Sequence, residues 1–280
     1  MTDMLPVSLG SGTLHVERSG PEDAEQTAIC VHGLTANIRA FDDLRDDLVA
    51  AGVQTIAMDL RGRGHSQDSG PGSYGLPAHA QDVLDIATHF GLDRWHHVGW
   101  SMGALIGLDL AALAGPRLKT ISLLDAAGGM DPDALDAVRT ATARLDAVVP
   151  DEQTYFTAIQ ASGIFEPWGP YWERYFGWEL GPVDGGLSPT TSRAACLEDL
   201  DAATRDFTQL WSHLTMPTLL VWASVPMNGG LLVPTEIRDA LLATVDGSRI
   251  HTVDRNHYAL MTDAPVRAAI VAHVVGGGGA

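Results

Sequence analysis

At 280 residues the chain is long enough for one large domain carrying an insertion, or for two modest ones. A hydrophobic fraction of 45% with 19% charged residues argues against a disordered chain. Its 17 basic and 35 acidic residues give a net charge of −18, which argues against nucleic acid or an anionic membrane as partner. Lys119 is the only lysine and alanine is abundant, a composition that hints at a GC-rich bacterial genome. Cys30 and Cys196 lie far apart and form no metal or redox spacing. Cys30, inside "TAICVHG", reads as a buried small hydrophobe. The start, "MTDMLPV", has no basic lead or apolar core, and no apolar run approaches the ~20 residues that span a bilayer. A cytoplasmic protein is expected, acting on a small molecule; the sequence leaves its oligomeric state open.

Residues 5–18 read as two short strands around "GSG". From "TAICV" the chain alternates: helical "AFDDLRDDLVAAG", strand "VQTIAMD", helical "AHAQDVLDIATHFG", strand "HHVGW", helical "MGALIGLDLAALAG", strand "KTISLLD". Short apolar strands between amphipathic helices predict a mostly parallel sheet flanked by helices, an α/β fold. After Asp125 the pattern changes. Residues 128–215 have helical periodicity, no convincing buried strand and most of the aromatics, and are expected to form an inserted helical lid. Alternation resumes with "PTLLVWA", helical "PTEIRDALLAT", strand "SRIHTV" and a helix from Pro265, a residue tolerated in a first helical turn. The core is therefore assigned to 1–127 and 216–275, and 276–280 to a flexible glycine-rich tail.

The chemistry centres on "GWSMG", Gly99 to Gly103. A serine hydroxyl is a weak nucleophile until a neighbouring base takes its proton. G-x-S-x-G between a strand and a helix makes a sharp turn that exposes the serine, and its glycines relieve crowding of the backbone. The helix from Met102 also aims its positive end at Ser101.

With "VHGLTAN", "MDLRGRGHS", "GWSMG" and "DRNHYALM" in this order, the chain resembles an α/β-hydrolase over nearly its whole length. The resemblance implies a serine nucleophile, an acid and a histidine in chain order, with no cofactor and no metal. It makes His257, in "RNHY", the base and the backbone N–H groups of Leu34 and Met102 the oxyanion donors, with Gly33 facing the substrate. His32 is expected to shape the loop. His96 and His97 begin a strand at the end opposite Ser101, His65 sits in "GRGHS", and His79 and His89 fall on a helix. Only His257 lies beyond a strand end on the same sheet edge as Ser101.

Most members of this family place the acid in the stretch here reading "TLLVWASVPMNGG", which has no acid before Glu236 of the following helix. Asp125, ending "ISLLD" one strand after the nucleophile, reaches the correct edge and is taken as the acid. A carboxylate there accepts the second N–H of the histidine and fixes its tautomer. Two groups sharing this placement resemble the chain: the (E)-2-(acetamidomethylene)succinate hydrolases in "HGLTAN" and "PVDGGL", and polyketide-type thioesterases in "LLD" and "HYALM".

The lid aromatics Tyr155, Phe156, Trp168, Tyr171, Trp172, Tyr175, Phe176 and Trp178 are expected partly to pack and partly to line an apolar pocket. Tyr155, Trp168 and Trp178 are assigned to the substrate. Arg139, Arg144, Arg174, Arg193 and Arg205 are read as surface partners of the many acids rather than substrate ligands. The expected activity is hydrolysis of a carboxylic ester or lactone. Amide, thioester or C–C bond hydrolysis, or a ligand receptor that keeps the triad, stand as alternatives.

Overall fold

The computed structural model describes residues 2–227 and 230–277. A hairpin of β1 (Thr2–Leu9) and β2 (Gly12–Ser19) opens the chain. It is followed by β3 (Thr27–Val31), α1 (Asp42–Ala50), β4 (Gln54–Met58), α2 (Leu76–His89), β5 (Trp95–Trp100), α3 (Met102–Ala114) and β6 (Leu118–Leu124). An intervening segment holds α4 (Pro132–Ala141), α5 (Glu152–Gln160), α6 (Pro170–Trp178), β7 (Leu180–Val183), β8 (Gly186–Pro189) and α7 (Arg193–Ala202). The alternation resumes with β9 (Thr218–Ala223), α8 (Thr235–Thr244), β10 (Arg249–Val253) and α9 (Ala264–Gly276).

The eight-stranded sheet runs β1-β2-β4-β3-β5-β6-β9-β10. β2 is antiparallel to both its neighbours, and the pairs from β4 to β10 are parallel. Every residue of β3, β4, β5 and β9 is buried, because helices cover both faces and leave no polar side to the pleat. The edge strand β1 instead alternates between exposed positions and half-buried ones, with Val7 fully buried. α3 is buried on nearly all sides and is correspondingly apolar all round. Among the described residues no helix is long and apolar enough to cross a membrane.

The intervening segment differs from expectation in one respect: it contains the antiparallel hairpin β7–β8. "VDGGL" supplies its turn, with Gly185 at φ 93° and Gly186 at φ 147°. Asp131, Asp151 and Ser192 cap α4, α5 and α7 with side-chain acceptors. The segment packs over the sheet's carboxyl edge through Tyr155, Phe156, Tyr171, Trp172, Tyr175 and Phe176, in one apolar cluster with Ala36, Ile38 and Phe41. The Tyr171 hydroxyl donates to the Ala40 carbonyl (2.7 Å) and Asn37 Nδ2 to the Tyr175 carbonyl (3.0 Å). At the C-terminus, Gly276 is the last residue of α9 rather than part of a tail, and residues 278–280 lie outside the described residues.

Candidate active site

The site is built at the carboxyl ends of the parallel strands, where such sheets place their ligands. Ser101 follows β5 directly and takes φ 57°, ψ −122°. For a non-glycine residue this conformation costs about 1–3 kcal/mol. It is held by Ser101 N–H donating to the Leu124 carbonyl (2.9 Å) and by the packed helix that follows. The glycines are there because nothing larger fits. A Cβ on Gly103 would lie 1.9 Å from the Val31 carbonyl oxygen, and one on Gly99 2.2 Å from the Gly103 oxygen.

Asp125 follows β6 and also has a left-handed backbone, φ 52°. Its N–H donates to the Val221 carbonyl (2.8 Å), and its Oδ1 accepts from Ala223 N–H (3.1 Å). The other oxygen, Oδ2, accepts from His257 Nδ1 at 2.8 Å, with both residues buried. This fixes the tautomer and leaves Nε2 available. The Trp100 ring stacks on His257 (centroids 5.4 Å apart, 29° between planes), and its indole N–H donates to the His257 carbonyl (3.2 Å). Asn256 ties the same loop to the intervening segment: its Nδ2 donates to the Ile164 carbonyl at 2.9 Å. Glu236, the other acid considered, sits in the first turn of α8, where the helix dipole accounts for it.

Ser101 and His257 line one cavity of about 30 Å³ together with Gly33, Leu34 and Tyr258. Among the described residues their side chains make no direct hydrogen bond, as is common in unliganded sites of this kind. A second cavity of about 30 Å³, apolar, also borders Ser101 and is lined by Leu34 and Met102. The N–H groups of Leu34 and Met102 have no acceptor among the described residues.

The loop that carries Leu34 is fixed from below. His32 Nδ1 donates to the Gly33 carbonyl (2.8 Å), and its Nε2 accepts from Leu60 N–H (3.0 Å). Burial pushes this imidazole down to about 3, so it is a neutral spacer and no base. The fully buried Arg63 donates from Nε to the Leu34 carbonyl (3.1 Å), which also accepts from Cys196 Sγ (3.3 Å). The far end of Arg63 meets Asp199 of α7 at 2.6 Å. Burial alone would raise the Asp199 carboxyl. The hydrogen bond from His79, the Arg63 charge and Gly75 N–H together hold it below the usual range.

Sequence reasoning missed Arg63 and Asp199, although "RGRGHS" was in view. It also placed His97 at the far end of its strand from Ser101. In the structure His97 Nε2 reaches the Gly103 carbonyl (3.0 Å) beneath the elbow, and burial pushes the ring down to about 4.

Three lid assignments need correction. Trp178 donates to Asp59 Oδ2 (3.1 Å) and lies under the Arg39 guanidinium, in an open surface groove with Met4 and Glu17. Trp168 stacks on Phe176 (5.8 Å, 6°). The buried Tyr155 hydroxyl donates to Glu179 at 2.6 Å. None of the three lines a cavity touching Ser101. The aromatics that do border the site are Trp100, Tyr175 and Tyr258, with Phe165 and Phe176 in an adjoining cavity of about 270 Å³. All five lid arginines pair with acids, and Arg144, bonded to Glu179, is the one that also borders this larger cavity.

The strand order, the strained serine turn and the buried acid–histidine pair define an α/β-hydrolase. The family model for the α/β-hydrolase fold matches residues 28–264, and the chain belongs to that family. The 2-(acetamidomethylene)succinate hydrolase of Mesorhizobium japonicum is 28% identical over 77% of this chain and 75% of its own. A pimeloyl-[acyl-carrier protein] methyl ester esterase of Neisseria meningitidis is 24% identical over 94% of this chain and 97% of its own. A crystal structure of E-2-(acetamidomethylene)succinate hydrolase superimposes with a TM-score of 0.85 at 21% identity, covering 99% of this chain and 100% of that one. Other curated relatives, at 28–34% identity, are matched over less than half of their own length. The chain has the α/β-hydrolase fold.

Proposed function

We propose that the protein cleaves a carboxylic ester or lactone of a small substrate through Ser101, His257 and Asp125. The observation that carries this reading is the Asp125–His257 hydrogen bond at the wall of the cavity that Ser101 also lines. Ser101 Oγ passes its proton to His257 Nε2 and bonds the carbonyl carbon. The carbonyl oxygen takes up the displaced electron pair opposite the N–H groups of Leu34 and Met102. One such donor is worth roughly 3–4 kcal/mol of barrier. Collapse breaks the bond to the leaving alcohol, which takes the proton from Nε2. Water then repeats the sequence, releases the acid and restores the serine. Asp125 stabilises the imidazolium in both halves without itself being protonated.

An ester is preferred over an amide because the methyl ester esterase aligns along almost the whole chain. Amide cleavage is the second reading, favoured by the name of the acetamidomethylene relative. The test is covalent labelling by an aryl phosphonate followed by peptide mass spectrometry. The adduct is expected on the peptide containing Ser101 and absent in Ser101→Ala. Labelling elsewhere, or labelling that survives the substitution, overturns the reading.

A further inference from the structure

Ser101 borders two spaces of different character. The first is the apolar cavity of about 30 Å³, lined by buried Leu105, Ala126, Leu200, Ala203 and Leu232 and by half-buried Met130 and Val138, the last of which also borders the second space. The second holds His257 and opens past Thr35, Tyr175 and Tyr258 into the cavity of about 270 Å³. Chemistry assigns the two. The group that departs must receive a proton from His257, so it leaves on the histidine side. The acyl chain then points away from His257, into the apolar space.

Resting on the hydrolase reading above, we infer that this apolar space is an acyl pocket limited to two or three carbons. The preferred substrates are then open-chain esters of acetic or propionic acid with a bulkier alcohol. A water-sized group needs roughly 10–15 Å³ of such space, so about 30 Å³ takes about two. The walls offer no partner to a charged acyl end, and an unpaired buried carboxylate is heavily penalised. A lactone fits less well. Its ring joins the carbonyl carbon to the departing oxygen, so both must lie on the His257 side and the acyl pocket stays unused.

The experiment keeps the leaving group constant: p-nitrophenyl acetate, propionate, butyrate, hexanoate and octanoate with the full chain. kcat/KM is expected to peak at acetate or propionate and fall at least tenfold by hexanoate, since each methylene a pocket cannot place costs roughly tenfold or more. Leu200→Ala lengthens the pocket and should raise the hexanoate-to-acetate ratio about tenfold. Ala203→Val shortens it and should lower the butyrate-to-acetate ratio; it serves as the second variant if Leu200→Ala fails to fold. Phenyl propionate should exceed dihydrocoumarin, its cyclic counterpart with the same phenolic leaving group, after each is normalised to its hydroxide rate. A flat or long-chain profile in a protein that is labelled at Ser101, ratios unmoved by the variants, or a faster lactone overturns the pocket alone. No labelling and no ester turnover overturns the hydrolase reading, and the pocket with it.

Discussion

The catalytic edge and the segment above it are built by different means. At the edge, backbone meets backbone: Gly103 packs on the Val31 carbonyl, and Ser101 and Asp125 donate their N–H groups to the Leu124 and Val221 carbonyls. In the segment, side chains do the holding, through a run of packed rings and through ion pairs such as Arg144–Glu179 and Arg63–Asp199. A contact made by backbone has few solutions, and at Gly103 a missing Cβ marks it. Side-chain contacts have many near-equivalents. The edge should therefore fail abruptly in activity when touched, and the segment should fail gradually in stability.

The largest effect is expected at Asp125. Asp125→Asn keeps the shape and the bond from Ala223 N–H but favours the wrong tautomer of His257. The same substitution in a chymotrypsin-type triad lowers kcat about 10⁴-fold, and a loss of that order is expected here. Glu236→Gln should cost a few tenths of a kcal/mol in stability, the scale of a helix-dipole contact. Steady-state kinetics on both folded variants checks this, and the reverse ranking would remove Asp125 from the site.

The same contrast governs what the sequence discloses. The parallel strands of the sheet were legible to within about one residue, because largely apolar runs such as Thr27–Val31 and Thr218–Ala223 suit strands buried on both faces. Ser101, Asp125 and His257 were legible because each sits just past a strand end, and strand ends share one edge. The facing of the lid aromatics was not. Trp178 looks outward and Tyr175 inward from the same helix, and aromatic spacing alone carries no such sign. The β7–β8 hairpin was not legible, because its four-residue strands are too short to announce themselves. Arg63 was hidden for a different reason: a guanidinium in a loop reads as solvent-facing until the distant Asp199 is known to meet it.

That pair gives the next effect in size. Arg63→Met leaves Asp199 buried with only His79 and Gly75 N–H as partners. Breaking one side of a buried ion pair costs about 3–5 kcal/mol. Urea unfolding should show that loss. kcat should also fall, by up to about a hundredfold, because the Leu34 carbonyl loses a donor and its loop is free to shift. A stability loss below about 1 kcal/mol, the scale of an exposed pair, would mean that the pair does not span the two regions as described.

A smaller effect comes from acid. His32 and His97 lie under the edge with folded pKa values near 3 and 4, against 6.5 when unfolded. Between those limits the unfolded chain binds more protons, so stability rises with pH. The contribution is complete above pH 6.5 and is lost as the pH falls toward the folded values. At pH 5 each ring costs about 2 kcal/mol relative to neutral pH. His97→Gln retains a donor for the Gly103 carbonyl without the titrating ring. Its unfolding free energy should drop by about 2 kcal/mol less than that of the parent between pH 7 and pH 5. Parallel pH profiles for the two proteins would place the acid sensitivity elsewhere.

The smallest effect, and the one that most sharpens the contrast, concerns Trp178. Trp178→Phe keeps a ring beside His65 (4.3 Å) and under Arg39 (4.3 Å) but deletes the donor to Asp59 Oδ2. Burial already raises the Asp59 carboxyl, and Ile38 N–H and His65 N–H continue to serve it. A lost hydrogen bond to a carboxylate then costs about 1–2 kcal/mol, the lower part of its usual range. Asp59 anchors the turn at Ile38, so the loss loosens the joint between segment and edge without opening the cavity at Ser101. The melting temperature should fall by a few degrees, and kcat/KM for an acetate ester and for one with a bulky alcohol should change by the same factor. A selective loss of the bulky ester would instead mean that Trp178 meets substrate, and that the segment serves catalysis through its side chains as directly as the edge does through its backbone.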